Sequence, residues 1–168
     1  EADRQRARAL AFYDKLAEEM DALHAKGPDV GASAAAVAMR ALSRVLQACY
    51  DQKLTHHQIA HIKLGELMGY AETAAAFCRE AAKEKLSEAV LFDRETWQAM
   101  SRLHARRAAS WIASEGLSLV AGSSYIDAMG LVDTLNIKAV AKAQKGALAD
   151  MDLVAGKLAE TFKAEKIG

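Results

Sequence analysis

The sequence predicts an all-α fold, an up-and-down helical bundle of roughly four to six helices. A single proline occurs among its 168 residues, and β-branched residues form few runs. Residues that favour helices (Ala, Leu, Glu, Lys and Arg) are abundant. Apolar residues also recur near the helical period, as at Leu10, Tyr13, Leu16 and Met20. We therefore expect residues 1–168 to form a single helical-bundle domain.

The first two helices are separated by a clear break in the pattern. The first predicted helix covers residues 2–25, and KGPDVG at residues 26–31 interrupts it with the proline. Ser33 is placed to cap a second helix, which we expect to end near Asp51.

A capping box predicts the start of the third helix. Thr55 is followed three residues later by Gln58, so that each side chain can satisfy a backbone N–H group at a helix start. We expect this helix to run to about Lys85, a length of roughly 45 Å. A helix this long needs neighbours of similar length to cover it, as in a bundle.

The second half of the chain predicts three further helices. Asp93 can cap a long helix that ends near Gly122, and residues 124–133 form a short one. Residues 134–165 are predicted to form one amphipathic helix. Two glycines weaken that last helix, Gly146 and Gly156. The predicted core contains eight large residues, Leu10, Leu46, Ile62, Tyr70, Phe77, Trp97, Trp111 and Leu119.

Composition narrows the class of protein. Lys plus Arg equals Asp plus Glu at 22 each, which argues against a general nucleic-acid binder. No apolar run approaches the roughly 20 residues that span a bilayer, and the charged start EADRQRARAL is unlike a signal peptide. We therefore expect a cytoplasmic protein. The chain starts at Glu1 rather than methionine, which favours a segment of a longer protein.

Three of the five histidines lie in LTHHQIAHIKLGELMGYAE, residues 54–72. His57 and His61 are one helical turn apart and form the candidate metal pair. However, Gln58 stands where a zincin has glutamate. A di-iron bundle requires a glutamate three residues before a histidine, and none of the five histidines has one. We predict no metal site and interpret the pair as polar residues near a helix start.

No pattern in the sequence predicts a catalytic residue. GSSY at residues 122–125 has no strand before it, so we interpret it as a helix end followed by a helix start. Cys49 and Cys78 have no metal spacing and are interpreted as small buried thiols. Arg102 and Arg106 share a helical face and are the candidate contact for a phosphate or a partner's carboxylate. The alternative is a solvated face opposite a glutamate of a neighbouring helix.

The last predicted helix carries a basic side. Lys138, Lys142 and Lys145 follow it, and no acidic residue occurs between Asp133 and Asp150. A basic amphipathic helix can lie on an anionic membrane or pack on a partner protein. Ordinary packing within the bundle is the alternative.

The two central helical segments resemble a known family. The stretches IAHIKLGELMGYAETAAAFCREAA (59–82) and ETWQAMSRLHARRAASWIASEGLSLVAGSSYID (95–127) are similar to the C-terminal helical bundle of acyl-CoA dehydrogenases. Order, helix length and loop position agree over residues 32–127. The resemblance implies a parent enzyme that uses FAD to oxidise the α,β bond of a fatty acyl-CoA.

Departures from the family pattern indicate one branch of it. The segment YDQKLTHHQ (50–58) has Lys53 near the usual flavin-contacting arginine and lacks the FG that follows, and no EGT-type segment supplies a catalytic glutamate. These losses resemble the extra C-terminal domain of very-long-chain acyl-CoA dehydrogenases, a degenerate copy of the catalytic bundle.

That resemblance implies no catalytic residue and no cofactor in this segment, with FAD held by the parent flavoprotein. The implied partners are the rest of the parent enzyme or a second subunit, in a dimer or other homo-oligomer, with peripheral contact at the inner membrane face. A stand-alone bundle that binds a hydrophobic ligand or a partner protein is the alternative.

Overall fold

The computed structural model describes residues 2–88 and 90–165, and these fold into α-helices joined by short connections. The helices are α1 (Ala2–Lys26), α2 (Ala32–Asp51), α3 (Gln58–Ala81), α4 (Arg94–Ala121), α5 (Tyr125–Thr134), α6 (Ile137–Ala143) and α7 (Ala147–Glu165), with a 3-10 turn at Leu54–His56. The described residues contain no strand. The all-α bundle predicted from the sequence is confirmed.

Helices α2 and α4 lie at the centre of the bundle. α1 and α4 pack on α2, and α3 and α7 pack on α4. Gly116 of α4 faces Val45 of α2 so closely that an added Cβ would lie 2.2 Å from Val45 Cγ2. Alanines supply much of the buried face of α2, so small residues allow the two central helices to pack closely.

The start of α2 differs from the prediction. Gly31 is the N-cap residue, with φ of +86°. Its N–H donates to Asp29 Oδ1 over 3.1 Å. Ser33 lies inside the first turn and caps nothing, because the left-handed conformation of Gly31 lets the helix begin earlier. The predicted Ser33 cap is therefore wrong.

The boundaries of α3 also differ, whereas those of α4 agree. Thr55 belongs to the 3-10 turn and His57 is the N-cap residue of α3 without a side-chain hydrogen bond, so the predicted capping box is wrong. α3 ends at Ala81 instead of Lys85. The predicted Asp93 cap is confirmed, since Asp93 Oδ1 accepts from the N–H of Thr96 at 2.9 Å. Gly122 is the C-cap residue of α4, as expected.

The segment predicted as one last helix is divided in two. Asn136 begins α6 with a φ of +49°, and its side chain accepts from the N–H of Ala139. Gly146, with a φ of +85°, lies in the turn that separates α6 from α7. Gly156 stays inside α7. The single helix over residues 134–165 is therefore a wrong prediction, and one of its two glycines marks the break.

The predicted core is partly correct. Leu46 is fully buried, as predicted. Ile62 is 56% exposed, so the prediction that it belongs to the core is wrong. Five others are half-buried and pack against the core, namely Leu10, Phe77, Trp97, Trp111 and Leu119. Tyr70 is also half-buried and stacks on Trp111. The buried face of α3 is instead built from small and medium residues, including Ala60, Leu64, Leu67, Ala71, Ala74 and Cys78. Ile62 lies off that face, so its size did not predict its burial.

Candidate functional site

Large apolar side chains are exposed at one end of the bundle, where α2 and α4 end and α3 and α5 begin. We call this set the end face, defined as Ile59, Ile62, Tyr125, Ile126 and Met129. Their exposed fractions run from 45% to 82%. A cavity of about 350 Å³ at this end is bordered by Ile59 and Ser123. Ile126 borders a separate cavity beside the end of α2, so the five side chains share one end of the bundle and are candidate contacts for a partner.

The candidate metal pair is exposed beside the end face. His57 precedes the first turn of α3, and His61 follows within that helix. In the part of the chain that the structure describes, no group of three or more His, Cys, Asp or Glu side chains is placed to hold a metal ion. A zinc site uses three or four protein ligands. The described residues place no third ligand beside this pair.

Arg102 and Arg106 of α4 converge on Asp150 of α7. Arg102 donates from Nε at 2.9 Å and from Nη2 at 2.5 Å to the two carboxylate oxygens of Asp150. Arg106 donates from Nη1 to the same carboxylate. Both Arg106 and Asp150 are only 8% exposed. The carboxylate opposite this arginine pair thus comes from the chain itself.

The charges of this cluster stabilise one another. Burial opposes ionisation of Asp150, but the hydrogen bonds and positive charges of Arg102 and Arg106 outweigh it and hold the pKa of Asp150 below its usual range. The hydrogen bond to Asp150 likewise raises the pKa of Arg102. Asp150 and Arg102 therefore remain ionised at neutral pH.

Arg106 also fastens the connection between α6 and α7. Its Nε donates to the carbonyl oxygen of Ala143 at 3.0 Å, and its Nη2 donates to that of Lys145 at 2.8 Å. In return, Gln144 Nε2 donates to the carbonyl oxygen of Arg106 at 3.0 Å. Each of the three guanidinium nitrogens of Arg106 donates to an acceptor, so this side chain holds the connection between α6 and α7 against α4.

The three lysines of the predicted basic face are exposed but do not follow one helix. Lys138 and Lys142 lie on α6, whereas Lys145 lies in the turn after it. Ile137 is 46% exposed and Leu148 is 77% exposed, so apolar side chains near these lysines are exposed as well. The prediction of a continuous basic amphipathic helix is wrong because the chain turns at Gly146.

An aromatic cluster joins α3 to α4. Tyr70 stacks on His104 and Trp111, with ring centroids 5.9 and 5.7 Å apart. Phe77 packs on Trp97 at 4.5 Å. Burial, with a smaller contribution from a nearby arginine, lowers the pKa of His104. The imidazole is therefore held neutral among the rings.

A groove of about 540 Å³ lies beside the aromatic cluster. Phe77 borders it from α3, Met100 and Leu103 from α4, and Met151 from α7. The polar half of the lining is His104, Arg106, Arg107, Ser110 and Gln144. An apolar wall beside polar and cationic groups suits a hydrophobic ligand with a polar or anionic end.

The structure agrees with the interpretation of the two cysteines and of the GSSY segment at residues 122–125. Cys49 and Cys78 are unpaired and buried, as predicted, and burial raises the pKa of each thiol to about 11. Ser124 caps α5 by accepting from the N–H of Asp127. The interpretation of GSSY as a helix end followed by a helix start is confirmed.

Comparison with known proteins returns no match to a family model, a curated protein or a solved structure. None of the helices within the described ranges has the length and apolar character needed to cross a membrane.

Two features of these sites were missed in the sequence. Asp150 is the first acidic residue after a long acid-free stretch, but nothing local pairs it with arginines 44 and 48 positions away. Tyr125 and Ile126 stand out as adjacent apolar residues at the start of a short helix. Their exposure depends on how α5 is placed, which the pattern does not specify.

Proposed function

We propose that this chain is a non-catalytic docking domain, the extra C-terminal helical domain of a flavin-dependent acyl-CoA dehydrogenase. The observation that carries this proposal is the end face, in which Ile59, Tyr125 and Ile126 are each more than half exposed. Exposing such side chains to water is unfavourable by about 25 cal/mol for each Å² of apolar surface. A partner that covers them recovers that free energy, and the occupant we propose is the flavin-binding body of the enzyme.

The arrangement of α3 and α4 supports the family assignment. The two helices have 24 and 28 residues, pack on each other, and are joined by a single loop. Two long helices in this order with one loop between them are part of the resemblance, and α3 is shorter than the sequence predicted. The parent reaction is then the α,β-oxidation of a fatty acyl-CoA by FAD bound to the other domains.

The packing of the interior supports a non-catalytic role for this domain. Among the side chains that the structure describes, the two that are buried and charged, Arg106 and Asp150, bind each other. Tyr13 is the buried phenol of α1, and its hydroxyl donates to Glu72 at 2.8 Å. Burial is the largest cause that raises the pKa of Tyr13. These groups stabilise contacts between helices.

A reconstitution experiment tests this proposal. The chain is mixed with a separately produced, FAD-bound acyl-CoA dehydrogenase body that lacks an appended domain, and gel filtration follows the flavin absorbance. We expect the flavin to elute with this chain. The change Ile59→Asp with Tyr125→Asp should abolish co-elution, because each places a charge in the covered surface. Leu91→Asp is the matched control, since Leu91 is 92% exposed and lies in the loop between α3 and α4.

Two results would contradict this proposal. Purified chain that holds stoichiometric FAD and oxidises an acyl-CoA would show that it is catalytic. Equal retention of the flavin body by the wild-type chain and the end-face variant would show that the end face is not the docking surface.

The groove between α3, α4 and α7 favours a second candidate function, a stand-alone bundle that binds a hydrophobic ligand. A ligand that binds only the folded state raises the melting temperature as its concentration increases. Dodecanoate is a suitable probe, with Leu103→Gln as the groove variant and Met129→Gln as the control on the end face. A concentration-dependent shift that Leu103→Gln removes supports this function, and no shift with the wild-type chain excludes it for that probe.

A further inference from the structure

A basic cavity lies where α1 ends, α2 begins and α6 turns towards α7. Its volume is about 420 Å³. Its charged lining residues are Arg40, Arg106, Lys142, Lys145, Asp21 and Asp29. Arg106 is balanced by Asp150 outside the lining, so the other three cations against two carboxylates leave an excess of one positive charge. A concave surface of this sign concentrates anions near it.

The two lysines are the cations that remain available in this cavity. Arg40 is already paired with Asp21, and Arg106 is paired with Asp150. The side chains of Lys142 and Lys145 make no hydrogen bond or ion pair with any residue that the structure describes. Both lysines therefore line the cavity, and their ammonium donors have no partner among the described residues.

The first turn of α2 borders the same cavity from the other side. Gly31, Ser33 and Ala34 line it. No side chain caps this helix, and its first turn contains no acidic residue. The first N–H groups of an α-helix lack partners within the helix, and the positive end of its dipole attracts anions. The hydroxyl of Ser33 is a further donor on this side.

Asp29 does not fill the anion position. Its Oδ1 accepts the hydrogen bond from the N–H of Gly31, which orients the carboxylate to the connection before α2. The unpaired donors thus come from two directions, the ammonium groups of α6 and its turn on one side and the start of α2 on the other.

We propose that this cavity binds a phosphate group, with Lys142 and Lys145 donating charge-assisted hydrogen bonds and the start of α2 donating neutral ones. A phosphate monoester carries a charge near −2 and several acceptor oxygens, which matches two unpaired cations and donors on opposite sides. A singly charged carboxylate offers two oxygens on one face and satisfies fewer of these donors. The phosphate comes from a soluble phosphate ester or from the headgroup of an anionic lipid.

Calorimetric titration with inorganic phosphate tests the site, in chloride buffer of matched ionic strength. We expect one saturable site in the wild-type chain. The change Lys142→Gln with Lys145→Gln should weaken binding by about tenfold or more, because both charged donors are lost. Lys85→Gln with Lys138→Gln is the matched control, since it removes the same charge from exposed positions outside the cavity. The control should bind phosphate as the wild type does.

A third variant tests the contribution of α2. Ser33→Asp places a carboxylate in the first turn, where it should raise the melting temperature and weaken phosphate binding by occupying the same donors. A raised melting temperature with unchanged phosphate affinity would overturn the assignment of these donors to the ligand.

Vesicles distinguish the two sources of phosphate. Flotation uses phosphatidylcholine vesicles with and without phosphatidic acid. Binding that inorganic phosphate competes away supports a lipid headgroup, and phosphate binding without flotation supports a soluble ester. Three results overturn the proposal: no saturable phosphate binding, equal weakening by the two lysine pairs, or flotation by a chain that does not bind inorganic phosphate.

Discussion

Replacing Asp150 by asparagine removes the negative charge that holds Arg102 and Arg106 against α7. The carboxylate accepts three hydrogen bonds from the two guanidinium groups, and the three side chains are 10% to 18% exposed. Removing one partner of a buried pair costs about 3–5 kcal/mol, because the remaining charge stays buried. Some access to water remains, so we expect the lower end, a loss of about 3 kcal/mol in the free energy of unfolding.

Thermal and urea unfolding followed by circular dichroism measure this loss. In a chain of this size, 1 kcal/mol lowers the melting temperature by about 2–4 °C, so Asp150→Asn should lower it by about 6–12 °C. Asp152→Asn is the control on the same helix, because Asp152 is exposed and should change stability by less than about 0.5 kcal/mol. Equal stability of the two variants would refute the account of this cluster.

The same cluster predicts a dependence on pH. The pKa of Asp150 is lowered in the folded state, because the two arginines outweigh the opposing effect of burial. A lowered pKa stabilises the fold above the unfolded aspartate value of about 3.9, and this stabilisation is lost as the pH falls through the folded-state value. The stability difference between wild type and Asp150→Asn should therefore be constant from about pH 5 to 7 and shrink below about pH 4. A difference that persists unchanged in acid would contradict the assignment.

Two further predictions concern packing and the thiols. Gly116→Ala should lower the free energy of unfolding by about 1–3 kcal/mol, because its Cβ would overlap Val45. Gly69→Ala, which has open space around the new Cβ, should instead raise it by about 0.5–1 kcal/mol in the same denaturation assay. Cys49 and Cys78 should react slowly with Ellman's reagent at neutral pH until the chain unfolds, because burial raises the pKa of each thiol to about 11. Rapid native-state reaction, or equal effects of the two glycine changes, would contradict these assignments.

Local sequence rules predicted the features that depend on neighbouring residues. Asp93 caps α4 as expected. This hydrogen bond joins an aspartate to the N–H three residues later, so it depends only on the local conformation of the chain. Thr55 satisfies the same kind of rule, but the 3-10 turn places it before the helix begins. Ser33 is not the N-cap residue of α2, because Gly31, with its positive φ, starts the helix earlier.

Features that depend on tertiary placement were not predictable in this way. Ile62 has the size of a core residue, but α3 packs through alanines and leucines on another face. Asp150 reaches Arg102 across 48 positions of sequence, so no local spacing reveals the pair. The basic cavity likewise depends on the turn that brings Lys145 to the same place as the start of α2.

Under the proposed function, this chain docks on an enzyme through its end face and does not carry out catalysis itself. Sedimentation velocity of the chain with an FAD-bound acyl-CoA dehydrogenase body, detected through the flavin, tests it most directly. The account predicts a faster-sedimenting flavin species with the wild-type chain and with Leu91→Asp, and none with Ile59→Asp combined with Tyr125→Asp. Flavin that sediments at the same rate with and without the wild-type chain would contradict it.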